Sequence, residues 1–260
     1  MKKVVLKKVD LVKFNSFIDT LTPLNETGTI YFKIDDKEIS TDSHNPSGTI
    51  IKSLRASIGE LCEESNLDKV GEPIKLCFYE GKKVKKALSF LSGNEINCEI
   101  TFAEMEGELY AETMTVSSPK VSIKLDAADP TLFEYANVPE DAIAKVKDTS
   151  GADCNFRMTA NEVLQIQKFF ELDNNEEFEF QVNGKVQASS DGDWQQTISD
   201  DFEGLEGGGL NTYKISQDLF KLLDQKSYLV YPIMDDTKII FEAEDKTMEV
   251  VITLHEDVEL

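Results

Sequence analysis

The sequence predicts an α+β fold built from two consecutive domains that share one topology. Its 260 residues are long for one hydrophobic core and ordinary for two domains. Each half contains two segments with apolar residues at helical spacing, and short alternating segments typical of antiparallel strands surround them. Each half therefore has the order strand, helix, four strands, helix, three strands. We expect an internal repeat of topology, not of sequence.

The first half holds two predicted helices. The apolar positions from Leu11 to Leu21 recur at helical spacing and predict a helix over about 9–21. Val84, Leu88 and Leu91 share one face of a second helix, which Gly93 ends. The strands of this half are predicted at 29–34, 37–40, 49–58, 73–79, 96–103, 109–116 and 121–125.

The second half repeats this order. Thr159 and Glu162 form a capping-box pattern that predicts the start of a helix over 159–170. A second helix is predicted over 216–225, with Leu219, Leu222 and Leu223 buried. The strands of this half are predicted at 156–158, 178–182, 185–188, 194–198, 211–215, 228–233, 238–243 and 248–254.

A segment with prolines at both ends separates the two halves. Pro130 and Pro139 enclose apolar residues, where a purely flexible linker would be polar. We therefore predict a first domain at 1–127, an interdomain connector at 128–150 and a second domain at 151–260.

Charged residues are distributed unevenly along the chain. The formal net charge is −22, yet four lysines occur within residues 82–86. Lysines on or beside the predicted helices are candidates for contacts to nucleic acid, although solvated polar helix faces would look the same. These candidates are Lys13, Lys82, Lys83, Lys85, Lys86, Lys168, Lys221 and Lys226. Arginine, the residue suited to bidentate base contacts, occurs twice, so the expected attraction is sensitive to salt and independent of sequence.

Other classes of site are disfavoured by the residues present. The four cysteines have no metal-ligand spacing and the chain has two histidines, so we expect neither a metal nor a cofactor. The Asp191-Gly192-Asp193 run lacks the remaining calcium ligands, and the glycine-rich 204–209 segment lacks the lysine of a phosphate loop. No nucleophile and base pairing is visible, so we expect no catalytic residue. No apolar run suits a membrane span or a signal peptide, which predicts a cytoplasmic protein.

The repeat, the acidic body, the lysine-bearing helices and the connector together resemble a DNA sliding clamp of the processivity-clamp fold. The resemblance is nearest to clamps of T-even-type tailed phages and includes Ala127-Ala128-Asp129-Pro130 and the ending from Tyr213 through Leu254. It implies two tandem clamp domains, with antiparallel sheets outside and two helices per domain lining a ring. It also implies a homotrimer on double-stranded DNA, a DNA polymerase and a clamp loader as partners, and the host cytoplasm if a phage encodes the chain.

The resemblance further implies a pocket near the connector for a partner's peptide. Apolar residues in the matching region are candidates for its lining, although ordinary core packing would also account for each of them. They are Leu132, Phe133, Tyr135, Tyr231, Pro232 and Leu254. The alternative from another class is an acidic interaction protein, such as a nucleic-acid mimic that blocks a DNA-binding enzyme. A mimic would present a continuous face of carboxylates and would need no basic helices. A third hypothesis is an enzyme, but the sequence shows no active site.

Overall fold

The computed structural model describes residues 2–24, 28–93, 95–129, 140–172, 174–191, 193–199, 202–204 and 211–254. The chain divides into two compact units, the first comprising Met1–Pro46 and Ser53–Val138 and the second Ser47–Lys52 and Pro139–Leu260. No helix among the described residues has the length and apolar character needed to cross a bilayer.

The first unit contains nine strands, one of them shared with the second unit, and three α-helices within its described residues. They are β1 (Lys2–Lys7), α1 (Leu11–Leu21), β2 (Ile30–Ile34), β3 (Glu38–His44), β4 (Ile50–Ser57), α2 (Ile58–Leu61), β5 (Glu64–Ser65), β6 (Ile74–Phe78), α3 (Gly81–Leu88), β7 (Asn97–Met105), β8 (Glu108–Ser117) and β9 (Ser122–Asp126). Residues 50–52 of β4 belong to the second unit.

The described residues of the second unit contain the same kinds of element. They are α4 (Glu140–Val146), β10 (Cys154–Met158), α5 (Ala160–Phe169), β11 (Glu177–Val182), β12 (Val186–Ser190), β13 (Trp194–Ser199), β14 (Phe202–Gly204), β15 (Asn211–Ser216), α6 (Gln217–Phe220), β16 (Tyr228–Ile233), β17 (Lys238–Ala243) and β18 (Met248–Thr253).

Strand pairing repeats between the two units. Strand β1 pairs with β5 and β7, as β10 pairs with β14 and β16. Strand β2 pairs with β3 and β6, as β11 pairs with β12 and β15. Strand β8 lies between β7 and β9, as β17 lies between β16 and β18. All of these pairs are antiparallel, and the first unit adds one parallel pair, β6 with β8.

The structure differs from the expected order of elements in three respects: five strands and not four separate the two repeated helices, the short helix α2 follows β4, and α4 lies within the expected connector. The missed strands, β5 and β14, have two and three residues, too few to show an alternating pattern. In β14, Gly204 has φ +98° and lies opposite Cys154, where a Cβ would be 2.5 Å from the Asp153 carbonyl oxygen. Only glycine allows this close approach of the two backbones.

The helices cover one face of the sheet strands in each unit. In the first unit, the rings of Phe14 on α1 and Phe32 on β2 lie 5.6 Å apart. In the second unit, the ring of Phe220 on α6 lies 4.9 Å from Phe178 and 5.9 Å from Phe241. Aromatic pairs in these edge-to-face arrangements stabilise the core beyond their buried area.

The helix starts follow the sequence more closely than the helix ends. At the start of α5, the Glu162 N–H donates to the Thr159 hydroxyl at 3.3 Å and the Thr159 N–H donates to the Glu162 carboxylate at 2.6 Å. The predicted capping box is confirmed. The second helix of this unit was expected to reach residue 225 but ends at Phe220. The Asp224 carbonyl instead accepts hydrogen bonds from the Lys226 N–H and the Tyr228 hydroxyl, which turns the chain towards β16.

Candidate functional site

In the first unit, α1 and α3 pack side by side and turn their lysines away from the core. Helix α3 buries Val84 and Leu88, while its four lysines are exposed, as is Lys13 on α1. This separation follows from the helical spacing of the apolar positions.

Several lysines of this helix pair have acidic neighbours. Lys85 Nζ lies 2.5 Å from Asp19 Oδ1 on α1, Lys83 Nζ lies 3.3 Å from Glu80 Oε1, and Lys13 Nζ lies 4.0 Å from Glu60 Oε2. Within the described ranges, no carboxylate oxygen lies within 4.0 Å of Lys82 or Lys86. These two lysines are therefore the least neutralised charges of the cluster.

The second unit holds the equivalent helix pair, α5 and α6. The Gln167 side-chain amide donates to the Phe220 carbonyl at 3.4 Å and to the Leu223 carbonyl at 2.9 Å, which joins α5 to the end of α6. Lys168 is exposed on α5. Lys221 follows α6, where its Nζ lies 3.0 Å from Asp218 and 5.9 Å from the centre of the Phe170 ring.

Lys226 has a different environment. Its Nζ lies 2.7 Å from Asp245 Oδ2 and also contacts the Thr247 hydroxyl, in the turn between β17 and β18. Burial acts in the opposite direction, but hydrogen bonds from Lys226 and Thr247 lower the pKa of Asp245. Lys226 thus stabilises a turn, in addition to any role in binding.

The helices reverse the charge balance of the chain. Together α1, α3, α5 and α6 carry six lysines and three acidic residues, whereas the whole chain has 27 basic and 49 acidic residues. Lysine ammonium groups on mobile side chains attract phosphates without reading bases. Five of these six lysines lie on α1 and α3, with one acidic residue, whereas α5 and α6 carry one lysine and two acidic residues. The first helix pair can therefore attract a polyanion that the rest of the chain repels.

The residues of the expected peptide pocket are described only in part. Leu132, Phe133 and Tyr135 lie outside the described residues. Tyr231 is half-buried on β16, beside an apolar cluster of Ile233, Ile240 and Val251 that covers the face of β16–β18 opposite α6. The sequence alone does not indicate that Ile233, Ile240 and Val251 form a cluster.

Pro232 and Leu254 are buried. Because neighbouring strand residues point to opposite faces, Pro232 points away from Tyr231. The Leu254 N–H donates to the Thr237 carbonyl at 2.8 Å, so this residue is fixed beside the β16–β17 turn. Of the three described candidates, only Tyr231 packs against the cluster of Ile233, Ile240 and Val251.

The cysteines are free and buried. Burial raises the pKa of Cys77 and of Cys98 to about 12 and that of Cys154 to about 11, so these groups stay thiols at neutral pH. Among the described residues, no group of three His, Cys, Asp or Glu side chains is placed to hold a metal ion.

Solved structures resemble this chain along almost its whole length. Proliferating cellular nuclear antigen (PCNA) from Entamoeba histolytica matches with a TM-score of 0.69 and 14% identity, over 97% of this chain and 99% of that one. The chain has the PCNA-like sliding-clamp fold. The A. fulgidus PCNA, solved with the C-terminal region of FEN-1 bound, matches with a TM-score of 0.66 and 14% identity over 100% of both chains.

A third structure agrees with these two. PCNA from Thermococcus kodakaraensis matches with a TM-score of 0.66 and 14% identity, over 97% of this chain and 100% of that one. Searches with the sequence match no protein-family model and no curated protein. The α+β prediction of two tandem copies of the processivity-clamp fold is confirmed by structure, at an identity where the fold alone is shared.

Proposed function

We propose that this protein is a DNA sliding clamp, a ring-shaped processivity factor that encircles duplex DNA and tethers a replicative DNA polymerase. The observation that carries the proposal is the excess of lysines on the helix pair α1 with α3 of an otherwise acidic chain, with Lys168 on α5 and Lys221 directly after α6 in the equivalent pair. A duplex that passes the helices would be held by mobile point charges, which allow it to slide.

The strand edges suggest how the ring closes. In the second unit, the Thr253 N–H at the end of β18 donates to the Thr49 carbonyl at 3.0 Å, so the start of β4 continues this sheet. The equivalent of β18 in the first unit is β9, and the equivalent of β4 in the second unit is β13. Within the described residues, β9 pairs with β8 alone and β13 pairs with β12 alone.

We infer that β9 of one copy pairs with β13 of the next. Such head-to-tail contacts either close a ring or continue as a filament, and pairing removes edges that would otherwise aggregate. Three copies with two clamp domains each would form a six-domain homotrimer. The domain limits 1–127 and 151–260, with the connector at 128–150, belong to this proposal.

The proposed function is topological and involves no catalytic step by this chain. A clamp loader would open the ring, and a polymerase would bind near the connector, at a surface that includes Tyr231. The A. fulgidus PCNA binds the C-terminal region of FEN-1, which supports a terminal peptide as the partner's contact. The T-even-type phage origin and the host cytoplasm are part of the same proposal.

Native mass by light scattering tests the ring directly. We expect about three times the chain mass of 29.2 kDa, and a mass of one chain at every concentration would overturn the proposal. After loading onto DNA, the protein should remain on a closed circle and leave once the circle is cut. Equal retention on circular and linear DNA would show ordinary binding rather than encirclement.

A further inference from the structure

The sheet β16–β18 is apolar on the face that α5 and α6 leave uncovered. Tyr231, Ile240 and Val251 are cross-strand neighbours in register on this outer face. Ile240 is 0% exposed and Val251 5% exposed. An antiparallel sheet with helices on one face ordinarily has polar residues on the other, so this row requires another explanation.

The equivalent row of the first unit is polar. There Glu99, Thr115 and Lys124 are the cross-strand neighbours on β7, β8 and β9. Beside them, the hydroxyl oxygens of Thr101 and Thr113 lie 2.8 Å apart in a hydrogen bond. The clamp-like sheet of the first unit therefore forms without an apolar outer row, so the sheet pairing alone does not account for the apolar row of the second unit.

Helix α4 contributes to the cover of this row, together with Ile51 and Ala152. Val146 packs against the cluster of Ile233, Ile240 and Val251. Just beyond the helix, Lys147 Nζ lies 3.0 Å from Glu249 Oε2, with both side chains largely buried. The Nζ of Lys238 on β17 donates to the Lys145 carbonyl at 3.5 Å, at the helix C-terminus, where a positive charge is favourable.

Few contacts hold α4 on the sheet β16–β18. Helix α4 has seven residues, about two turns, and helices of this length are unstable in isolation. Ile143 and Val146 are only half-buried, while Asp141, Ala144 and Lys145 are exposed. A segment with so little buried surface can leave the sheet without unfolding it.

We propose that α4 is a resident ligand of this surface and that a partner's segment displaces it. The surface would take an aliphatic residue followed directly by a basic residue, in place of Val146 and Lys147, with Glu249 as the acceptor of the basic group. This inference rests on the proposed role of the Tyr231 surface in partner binding, and it adds a regulated state to that surface.

The need to displace α4 lowers the apparent affinity of the partner. The apparent affinity of a partner falls in proportion to the fraction of chains in which the surface is uncovered. If α4 covers the surface in about nine chains of ten, its removal strengthens partner binding about 10-fold.

The variant Ala144→Pro isolates this effect. Residue 144 lies in the interior of α4, where proline removes a backbone hydrogen bond and breaks the helix. Its side chain is exposed, so the sheet surface itself is unchanged. Ala144→Ser is the matched control. Both full-length variants should keep the oligomeric state of the wild type; if the proline variant does not fold, Lys147→Ala, which removes the ion pair to Glu249, gives the same comparison.

The first probe is a labelled peptide of residues 140–150, EDAIAKVKDTS, added to the full chain. By fluorescence anisotropy, it should bind Ala144→Pro several-fold more tightly than Ala144→Ser or the wild type. The same peptide with Val146→Asp should not bind. Equal binding to all three chains, or none to Ala144→Pro, would overturn the proposal.

The second probe is a C-terminal peptide of the cognate polymerase. It should bind Ala144→Pro more tightly than Ala144→Ser and should compete with the 140–150 peptide. Weaker binding to Ala144→Pro would make α4 part of the partner site and refute displacement, while lack of competition would refute the shared surface. Retention on circular DNA is measured separately, so failure of the clamp function is distinguishable from failure of this inference.

Discussion

The Nζ of Lys85 on α3 lies 2.5 Å from Oδ1 of Asp19 on α1. Both side chains are about half exposed, and ion pairs of this kind contribute about 0–1 kcal/mol to stability. In the proposed clamp, Asp19 also places a negative charge on the helix pair that would face DNA. Its effect on DNA binding should therefore exceed its effect on folding.

Asp19→Asn should strengthen retention on DNA. Freeing Lys85 adds up to one phosphate contact, which steepens the dependence of log affinity on log salt by up to about 0.9. The measurement is a salt titration of binding to a short duplex. Asp36→Asn, an equal change of charge in the exposed β2–β3 turn, is the control. Equal steepening in both variants would mean that net charge, and not the helix surface, governs binding.

Replacing Lys82, Lys83, Lys85 and Lys86 together with alanine should weaken DNA binding without changing its sequence preference. Each lost contact lowers the salt slope by up to about 0.9. Lys82 and Lys86 should account for most of the loss, because the other two have acidic neighbours. The double variant Lys3→Ala/Lys7→Ala on β1 removes exposed lysines from a strand and should leave the slope unchanged. An unaltered slope in the quadruple variant would contradict the placement of α3 beside DNA.

The sequence predicts those elements whose signals are local. The Thr159 and Glu162 capping box depends on residues three positions apart, and the 228–233 and 238–243 strands were predicted with the observed limits. Strand β14 depends instead on Gly204 meeting the backbone of β10, a contact between residues distant in sequence. Its three residues carry no periodic signal of their own.

In the candidate site, too, the sequence predicts features that depend on local spacing but not those that depend on contacts between distant residues. Amphipathic spacing was sufficient to place the α3 lysines on an exposed face. It was not sufficient to show that Lys226 binds Asp245 in a turn, or that Ile240 and Val251 form an apolar row. The first relationship depends on the register between β16 and β17 and the second on that between β17 and β18, and the sequence of one strand alone defines neither register.

Lys124→Pro should prevent assembly of the ring. The Ser118 N–H donates to the Val121 carbonyl and the Ala127 N–H to the Glu112 carbonyl, and bonded residues alternate along an antiparallel pair. The Lys124 N–H therefore faces away from β8, towards the proposed neighbour, and proline removes it without breaking β8–β9. Light scattering should give a smaller mass for Lys124→Pro than for the control Lys124→Ala. A trimer of unchanged stability on dilution would exclude β9 from the interface.

Tyr231→Ala should weaken binding of a C-terminal polymerase peptide. An aromatic anchor at the centre of an interface can contribute about 2 kcal/mol or more, equivalent to about 30-fold in affinity. Phe133→Ala tests the part of the pocket expected from the connector. Tyr79→Ala, a half-exposed tyrosine of the first unit, is the control. Provided that the trimer persists, wild-type affinity in both Tyr231→Ala and Phe133→Ala would reject this pocket and leave the ring proposal standing.

Lys52→Met should stabilise the protein near neutral pH. Lys52 is 1% exposed, and its Nζ lies 3.8 Å from the nearest oxygen of Asp224. Burial lowers the pKa of Lys52, although Asp224 acts in the opposite direction. Removing one partner of a fully buried ion pair is destabilising because the other charge stays buried, but the Asp224 side chain is 32% exposed, so Lys52→Met removes the buried charge without leaving another one fully buried.

The direction in which this stability difference changes with pH shows whether the burial of the Lys52 charge causes it. Because the pKa of Lys52 is lower in the folded than in the unfolded chain, the unfolded chain binds more protons between these values, and stability rises with pH through that window. The window ends near the pKa of an unfolded lysine, about 10.4. Thermal unfolding at equal chain concentration should thus show an advantage of Lys52→Met over the wild type at pH 7 that shrinks towards pH 10. Other titrating groups occur in both proteins and cancel in this difference, so an advantage independent of pH would show that the burial of the Lys52 charge is not its source.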